Sequence, residues 1–140
     1  GVKSSRPGSA TRTPYQGYLE ELSMFVRKPV LITQVGLSTS PIEPKAWVPG
    51  FGGHTVADVP STLRSVWQDV RTAKGRDKFA GLVFFELQDE WWKSGEDADD
   101  PVRHEPDDPE EWFGLYAVDD DKRLVPKGSI PDTVRRLFTE

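Results

Sequence analysis

The sequence predicts an α/β fold that is built on parallel strands and lacks part of its sheet. Two apolar runs, VLITQV at 30–35 and FAGLVFFEL at 79–87, are short and rich in β-branched and aromatic residues, as is typical of strands covered on both faces. Helical periodicity between them favours a right-handed crossover joining parallel neighbours. Because buried parallel strands need neighbours on both edges, two strands cannot form a self-sufficient sheet. We therefore expect a chain that is incomplete when isolated.

The composition fits one globular domain and argues against several classes of partner. The 140 residues include 11% aromatic side chains, and 18 basic residues face 23 acidic ones for a net charge of −5. No block rich in Lys or Arg is available to neutralise a phosphate backbone, so nucleic acid is not an expected partner. Cysteine is absent, which excludes disulfides and thiolate metal sites. No apolar run approaches the roughly 18 residues of a membrane span and the first residues lack a signal-peptide core. We expect a soluble chain of undetermined compartment.

The first fourteen residues carry Ser, Gly, Pro, Thr and Arg with little to bury, so residues 1–14 are predicted as a flexible lead-in to a domain over 15–140. Thr13 and Pro14 resemble an N-cap and a first helical residue. The spacing that follows predicts a helix of about 12 residues. Its apolar face comprises Tyr15, Tyr18, Leu19, Leu22, Phe25 and Val26.

Later segments alternate between loops and amphipathic helices. Residues 38–60 are rich in Gly and Pro and predict a long loop, of the kind that is usually functional or disordered. Ser61 and Thr62 offer caps for a second helix, and residues 94–111 predict a solvated acidic loop. WFGLYAV, at 112–118, predicts a short apolar return. The apolar positions of the second and final helices are Leu63, Val66, Trp67 and Val70, then Ile130, Val134, Leu137 and Phe138.

Polar and aromatic residues follow both predicted strands. In parallel α/β proteins, ligand-binding residues lie at the carboxyl ends of strands and in the loops that follow. Gln34 ends the first strand, and FELQDEWWK, at 85–93, ends the second. Carboxylates hydrogen-bond hydroxyl groups and aromatic rings stack on the C–H faces of sugars, so a carbohydrate is the favoured ligand. The candidate ligand-binding residues here are Phe85, Glu86, Asp89, Glu90, Trp91 and Trp92.

Three motifs together resemble a known family. KPVLITQVG, then AGLVFFELQDEWWKSG after a long loop and helix, then EEWFGLYAV, resemble the last two strands of a clan A glycoside hydrolase, nearest to the family-two-like (β/α)8 barrels. The resemblance covers about residues 15–138. It implies the C-terminal segment of a TIM barrel, from about helix six to helix eight, with oligosaccharide or polysaccharide as partner. The rest of the barrel would come from upstream chain or another copy.

The resemblance implies that Gln34 stands at the position of the retaining nucleophile, which is Glu in that family. An amide cannot form the glycosyl-enzyme ester, so double displacement is expected to fail. The general acid belongs on strand four of such barrels, and no residue of this chain corresponds to it. Phe85 falls where the family stacks an aromatic ring on the sugar, and Leu87 replaces a second aromatic residue. The resemblance thus implies a chain that is catalytically impaired or inactive alone.

Other interpretations remain open for these residues. Gln34 is also explained as a strand-end residue without a role, or as a Glu→Gln change made to trap a complex. The acidic and tryptophan residues at 89–92 are also explained as an exposed strand end that pairs with Lys93. Trp47, in the long loop, is a lid contact or a wall of the ligand site. Glycines around His54 allow its loop to approach a ligand. We predict no cofactor and no metal site.

A second function class competes with the carbohydrate hypothesis. The same residues are compatible with a non-catalytic α/β interaction module that completes its sheet with a partner or a second copy. In that case Trp91, Trp92 and the acidic loop would form a protein interface. The two hypotheses differ in behaviour, because a barrel segment is expected to be poorly folded or oligomeric when isolated, and a module to be a cooperative monomer or a defined complex.

Overall fold

A computed structural model describes residues 13–41, 53–93 and 108–139 of the chain. Its helices and strands confirm mixed α/β content. One sheet is a parallel pair, β1 with β2, and the other is an antiparallel hairpin, β3 with β4. In chain order the elements are α1 (Pro14–Phe25), β1 (Val30–Val35), α2 (Val59–Thr72), β2 (Phe79–Phe84), β3 (Tyr116–Val118), β4 (Leu124–Pro126) and α3 (Ile130–Leu137).

Helix α1 begins as predicted, with Thr13 as its N-cap and Pro14 as its first residue. The Thr13 hydroxyl accepts a hydrogen bond from the Gln16 amide at 3.0 Å and donates one to Asp69 of α2 at 2.6 Å. The helix is 12 residues long. Its predicted apolar face is only partly covered, because Leu19 is fully buried whereas Phe25 is 82% exposed. Most of the predicted lead-in, residues 1–12, lies outside the described residues, but Pro14 is already helical.

Helices α1 and α2 cover one face of the parallel pair. Leu82 of β2 packs there with Leu19, Val70 and Ala73, and Ile32 of β1 lies against the same cluster. The opposite face is open, since Leu31 is 54% exposed and Val83 47% exposed. In the part of the chain that the structure describes, the expectation that both faces are covered is therefore wrong, because about half of each of these two side chains is exposed.

The second helix starts earlier than the sequence predicts. Its first residue is Val59 and its N-cap is Asp58, whereas Ser61 and Thr62 lie in the first turn. Both hydroxyls donate to the Asp58 carbonyl. They therefore bind a backbone carbonyl of the first turn and do not cap the free amides of the helix start. The second strand ends at Phe84 instead of Leu87, and the Phe85–Glu86 peptide bond is cis. The acidic positions 86, 89 and 90 therefore all lie beyond the end of β2.

Helix α3 packs against α2 and forms a second cluster of the core. Its buried residues Ile130, Val134 and Leu137 pack on Val59 and Leu63 of α2. Trp67, predicted as a core residue, packs in an aromatic cluster with Phe84 and Phe138, at ring-centroid distances of 6.5 and 5.6 Å. Among the helices of the described segments, none is long and apolar enough to cross a membrane.

Candidate functional site

An irregularity in β1 turns Gln34 toward the open face of the sheet. The pairing with β2 shifts register between Ile32 and Val35. Ile32 and Val35 both pack on the helix side, so Thr33 and Gln34, which lie between them, are both exposed. Strict alternation of side chains would have placed Gln34 on the helix side with Ile32. The irregularity therefore makes the amide available to a ligand.

The chain after β1 lies directly against the chain after β2. The Phe85 amide donates to the Val35 carbonyl at 2.8 Å, one residue beyond the end of β2. A Cβ on Gly36 would collide with the Phe85 carbonyl oxygen and would lie 2.9 Å from the Phe113 ring. Glycine is thus the residue that permits the two strand ends to approach this closely.

An open depression of about 320 Å³ lies between these strand ends. The Phe85 and Phe113 rings pack edge to face, with centroids 5.7 Å apart and planes 60° apart. An amide, an ammonium and a carboxylate are thus placed around two rings, which suits a ligand with both apolar faces and hydroxyl groups. The described residues that line the depression are Gln34, Gly36, Phe85, Lys93, Glu110 and Phe113.

Lys93 is the cation of this depression. Its ammonium lies 4.8 Å from the centroid of the Phe85 ring and forms ion pairs with Glu90 at 2.5 Å and Glu86 at 3.6 Å. Burial alone would lower the pKa of Lys93, but the hydrogen bond to Glu90 and the neighbouring carboxylates outweigh it and raise the pKa above its usual value. Lys93 therefore stays charged, and the two carboxylates hold its ammonium near the ring.

Glu86 pairs with Lys93 and is not among the residues that line the depression. Its side chain is only 12% exposed. Burial, followed by the charge of Glu90, raises the pKa of Glu86 to about 7, although Lys93 acts in the opposite direction. The Glu86 carboxyl group therefore gains and loses its proton near neutral pH, next to the cation that lines the depression.

Asp89 is turned away from the depression and is buried. Its Oδ1 atom accepts from the Lys127 ammonium at 2.7 Å and from the Gly114 amide at 2.8 Å. Asp89 is 1% exposed and the Lys127 side chain 7% exposed. Burial raises the pKa of Asp89 and lowers that of Lys127, and their mutual attraction opposes both shifts. The structure thus pairs this carboxylate with a lysine in the interior.

The remaining predicted site residues that the structure describes are not among those that line the depression. Trp91 is buried, with the Lys122 ammonium 5.7 Å from its ring, and Trp92 is exposed. Glu90 binds Lys93. His54 is partly buried near the start of α2, and Trp47 lies outside the described residues. Of the predicted residues that the structure describes, Gln34 and Phe85 are therefore the two that line the depression.

Sequence reasoning missed three residues of this region. Phe113 and Glu110 line the depression, and Lys127 pairs with Asp89. In the sequence, the residue that marks Phe113 is the glycine that follows it. In the structure, Gly114 has no space for a side chain. A Cβ there would collide with the Asp89 amide and would lie within 2.5 Å of the Tyr116 carbonyl oxygen. No local pattern indicates Lys127, which reaches Asp89 from a distant part of the chain.

In the part of the chain that the structure describes, no group of three His, Asp or Glu side chains is placed to hold a metal ion. The predicted acidic loop over 94–111 lies largely outside that part, and its final residues form a short 3₁₀ helix, Pro109–Trp112.

No protein-family model matches the chain, and a search among curated proteins finds no significant match.

Proposed function

We propose that this chain binds carbohydrate in the depression at the ends of β1 and β2, as the last two strands of a glycoside-hydrolase-like (β/α)8 barrel with Gln34 at the nucleophile position. One observation carries the proposal. Gln34, near the end of β1, and Phe85, the residue after β2, line the same depression, and the two strands are parallel neighbours. In parallel α/β sheets and barrels, this is the end at which ligands bind.

The chemistry of the depression supports a sugar as ligand. Phe85 offers ring surface for the C–H face of a pyranose, and the largely buried Phe113 ring packs against it. Gln34, Lys93 and Glu110 offer donors and acceptors for hydroxyl groups. Gln34 has both a donor and an acceptor in its amide. A neutral, hydroxyl-rich ligand is also compatible with a region where cationic Lys93 is balanced by Glu90.

The arrangement of helices supports the barrel. In such a barrel the helices pack on the outer face of the sheet and the inner face is filled by side chains from the other strands. Here α1 and α2 lie on one face, while Leu31 and Val83 leave an apolar surface on the other. This one-sided cover is expected of two barrel strands without the strands that complete the barrel.

The proposed role is binding without retaining hydrolysis. Gln34 has no carboxylate to attack the anomeric carbon or to stabilise an oxocarbenium-like transition state. If the protein does hydrolyse glycosides, the route must differ, as in inversion by a water held between Gln34 and another carboxylate, or in assistance by the substrate itself.

Titration of the full protein, as the cell makes it, with cellohexaose, mannohexaose and xylohexaose tests the proposal. We expect Phe85→Ala to weaken binding of the preferred sugar by about tenfold, or about 1.4 kcal/mol, because the stacking surface is lost. Phe25→Ala is the matched control, since Phe25 is exposed on α1. Equal affinity of the parent and the Phe85→Ala variant would exclude binding at this depression.

A second candidate is the non-catalytic interaction module. The open face around Leu31 and Val83 and the unpaired outer edges of the described β1–β2 pair favour it. A partner or second copy that adds strands would cover both features. Sugar binding separates the candidates, because the module needs no ligand at Gln34.

A further inference from the structure

The Asp89–Lys127 pair forms hydrogen bonds to the backbone on both sides of Phe113. The Gly114 amide, which follows Phe113, donates to Asp89 at 2.8 Å. The Trp112 carbonyl, which precedes Phe113, accepts from the Lys127 ammonium at 3.0 Å. The ammonium and the carboxylate then bind each other at 2.7 Å. The two peptide groups that flank Phe113 are therefore held by one buried ion pair.

The same backbone is fixed from two other directions. The Phe113 carbonyl accepts from the Glu86 amide at 3.2 Å, and the Trp112 carbonyl accepts from the Thr39 amide at 3.1 Å. These bonds tie Phe113 to the segments that follow β2 and β1. Because Gly114 has no room for a side chain, the chain at 113–114 packs tightly against the backbone of Asp89. The Phe113 ring packs edge to face against Phe85 at the depression.

A buried ion pair is weak evidence for stability. Removing two charges from water is costly, and apolar residues of similar volume are often as stabilising. The pair between Asp89 and Lys127 is therefore better explained by what it orients. Apolar replacements would fill the space but would leave the Gly114 amide and the Trp112 carbonyl without these partners.

We propose that Asp89 and Lys127 are positioning residues that fix the Phe113 ring as the second aromatic wall of the ligand-binding depression. The inference rests on the proposed function, which it deepens by assigning to Phe113, a ring only 8% exposed, the support of the Phe85 stacking surface, and to Asp89 an indirect role. Asp89 acts through the backbone and does not touch the ligand. The pair keeps the ring at a fixed distance from Phe85, so that a flat apolar ligand face meets a preorganised surface.

The test replaces the whole pair, with Asp89→Leu/Lys127→Met in the full protein. A matched control, Asp132→Leu/Arg135→Met, removes the exposed ion pair of α3. Placement of the ring is read by fluorine NMR of 4-fluorophenylalanine incorporated at position 113, and in a parallel sample at position 25. Binding is read with the three hexaoses named above, and folding by the melting temperature.

We expect the Asp89→Leu/Lys127→Met variant to stay folded but to melt below the parent, because the buried Gly114 amide loses its acceptor. The fluorine signal at 113 should shift or broaden, the signal at 25 should not move, and sugar affinity should fall about tenfold. General destabilisation would instead disturb both fluorine signals. An unchanged signal at 113 together with unchanged affinity would overturn the proposal. If the parent binds none of the hexaoses, the proposed function fails, and the fluorine signals alone decide whether the pair positions the ring.

Hydrogen exchange in the unmodified protein covers the case in which the variant does not fold. We expect the Gly114 amide to exchange far more slowly than the amides of the exposed turn at Asp120 and Asp121, because it is bound to the buried Asp89 carboxylate. Exchange of the Gly114 amide at the rate of that turn would show that its hydrogen bond to Asp89 does not form, and would overturn the proposal.

Discussion

The backbone of Gly36 packs against the carbonyl of Phe85, and this contact brings the ends of the two parallel strands together. It also places Gln34 and Phe85 around the same depression. Three structural features produce this arrangement, namely the irregularity in β1, the glycine after it and the early end of β2.

A methyl group at position 36 should therefore disturb the site and the fold. We expect Gly36→Ala to lower the free energy of unfolding by about 2 kcal/mol, because the added Cβ overlaps a backbone atom that has little freedom to move. Urea denaturation measures the change. Thr33→Ala, at an exposed position of the same strand, should change stability by less than about 0.5 kcal/mol. A Gly36→Ala variant as stable as the parent would contradict this close approach.

The Thr13 hydroxyl links two helices, since it caps α1 and binds Asp69 of α2. We expect Thr13→Ala to lower the free energy of unfolding by about 1–2 kcal/mol, through loss of the cap and of a hydrogen bond to a buried carboxylate. Thr13→Ser keeps the hydroxyl and should recover most of this loss. Equal losses in both variants would assign the effect to the methyl group instead.

The raised pKa of Glu86 predicts a pH dependence of stability. Because its pKa rises from 4.5 to about 7 on folding, the folded state holds more protons than the unfolded state between these values. Stability contributed by this group therefore falls as pH rises from about 4.5 to about 7. The surrounding charges are those of Glu90 and Lys93, with Lys127 further away.

We expect Glu86→Gln to flatten this part of the pH profile, as measured by urea denaturation at about pH 5 and about pH 8. The amide has no proton to gain, so its difference in stability between the two conditions should be smaller than that of the parent. Glu21→Gln, on the exposed side of α1, is the matched control and should leave the profile unchanged. An identical profile for Glu86→Gln and the parent would show that Glu86 titrates normally.

The open sheet face predicts self-association of the isolated 140-residue chain. Leu31 and Val83 expose apolar surface beside unpaired strand edges in the described β1–β2 pair, a combination that favours pairing between chains. We expect light scattering to detect oligomers, and Leu31→Lys/Val83→Lys to reduce them. Tyr18→Lys, at an exposed position of α1, serves as a control. A monomeric chain with a sharp two-state melt would count against the barrel segment.

Local periodicity was sufficient to predict much of the fold. Helix α1 with its Thr13 cap, the positions of β1 and β2, and the apolar face of α3 all follow from spacing and cap chemistry within a few residues. The start of α2 was wrong by two or more residues because Ser61 and Thr62 have the chemistry of caps, whereas the position before Val59 is decided by the turn at Thr55–Asp58.

The site was less predictable, since it depends on tertiary contacts. Alternation alone does not reveal that Gln34 turns to the open face, because a register shift with a neighbouring strand decides it. Asp89 looked like a ligand-binding carboxylate, yet a lysine 38 residues away pairs with it in the interior. The place of Phe113 depends on that same pair.

The most direct measurement compares Gln34 with a Gln34→Glu variant of the full protein on β-linked oligosaccharides, following binding and release of reducing sugar together. We predict that the parent binds a sugar without cleaving it, and that the variant gains hydrolysis with retention of configuration, because it regains the nucleophile. Failure of both forms to bind any of the sugars would contradict the carbohydrate proposal and leave the interaction module in its place.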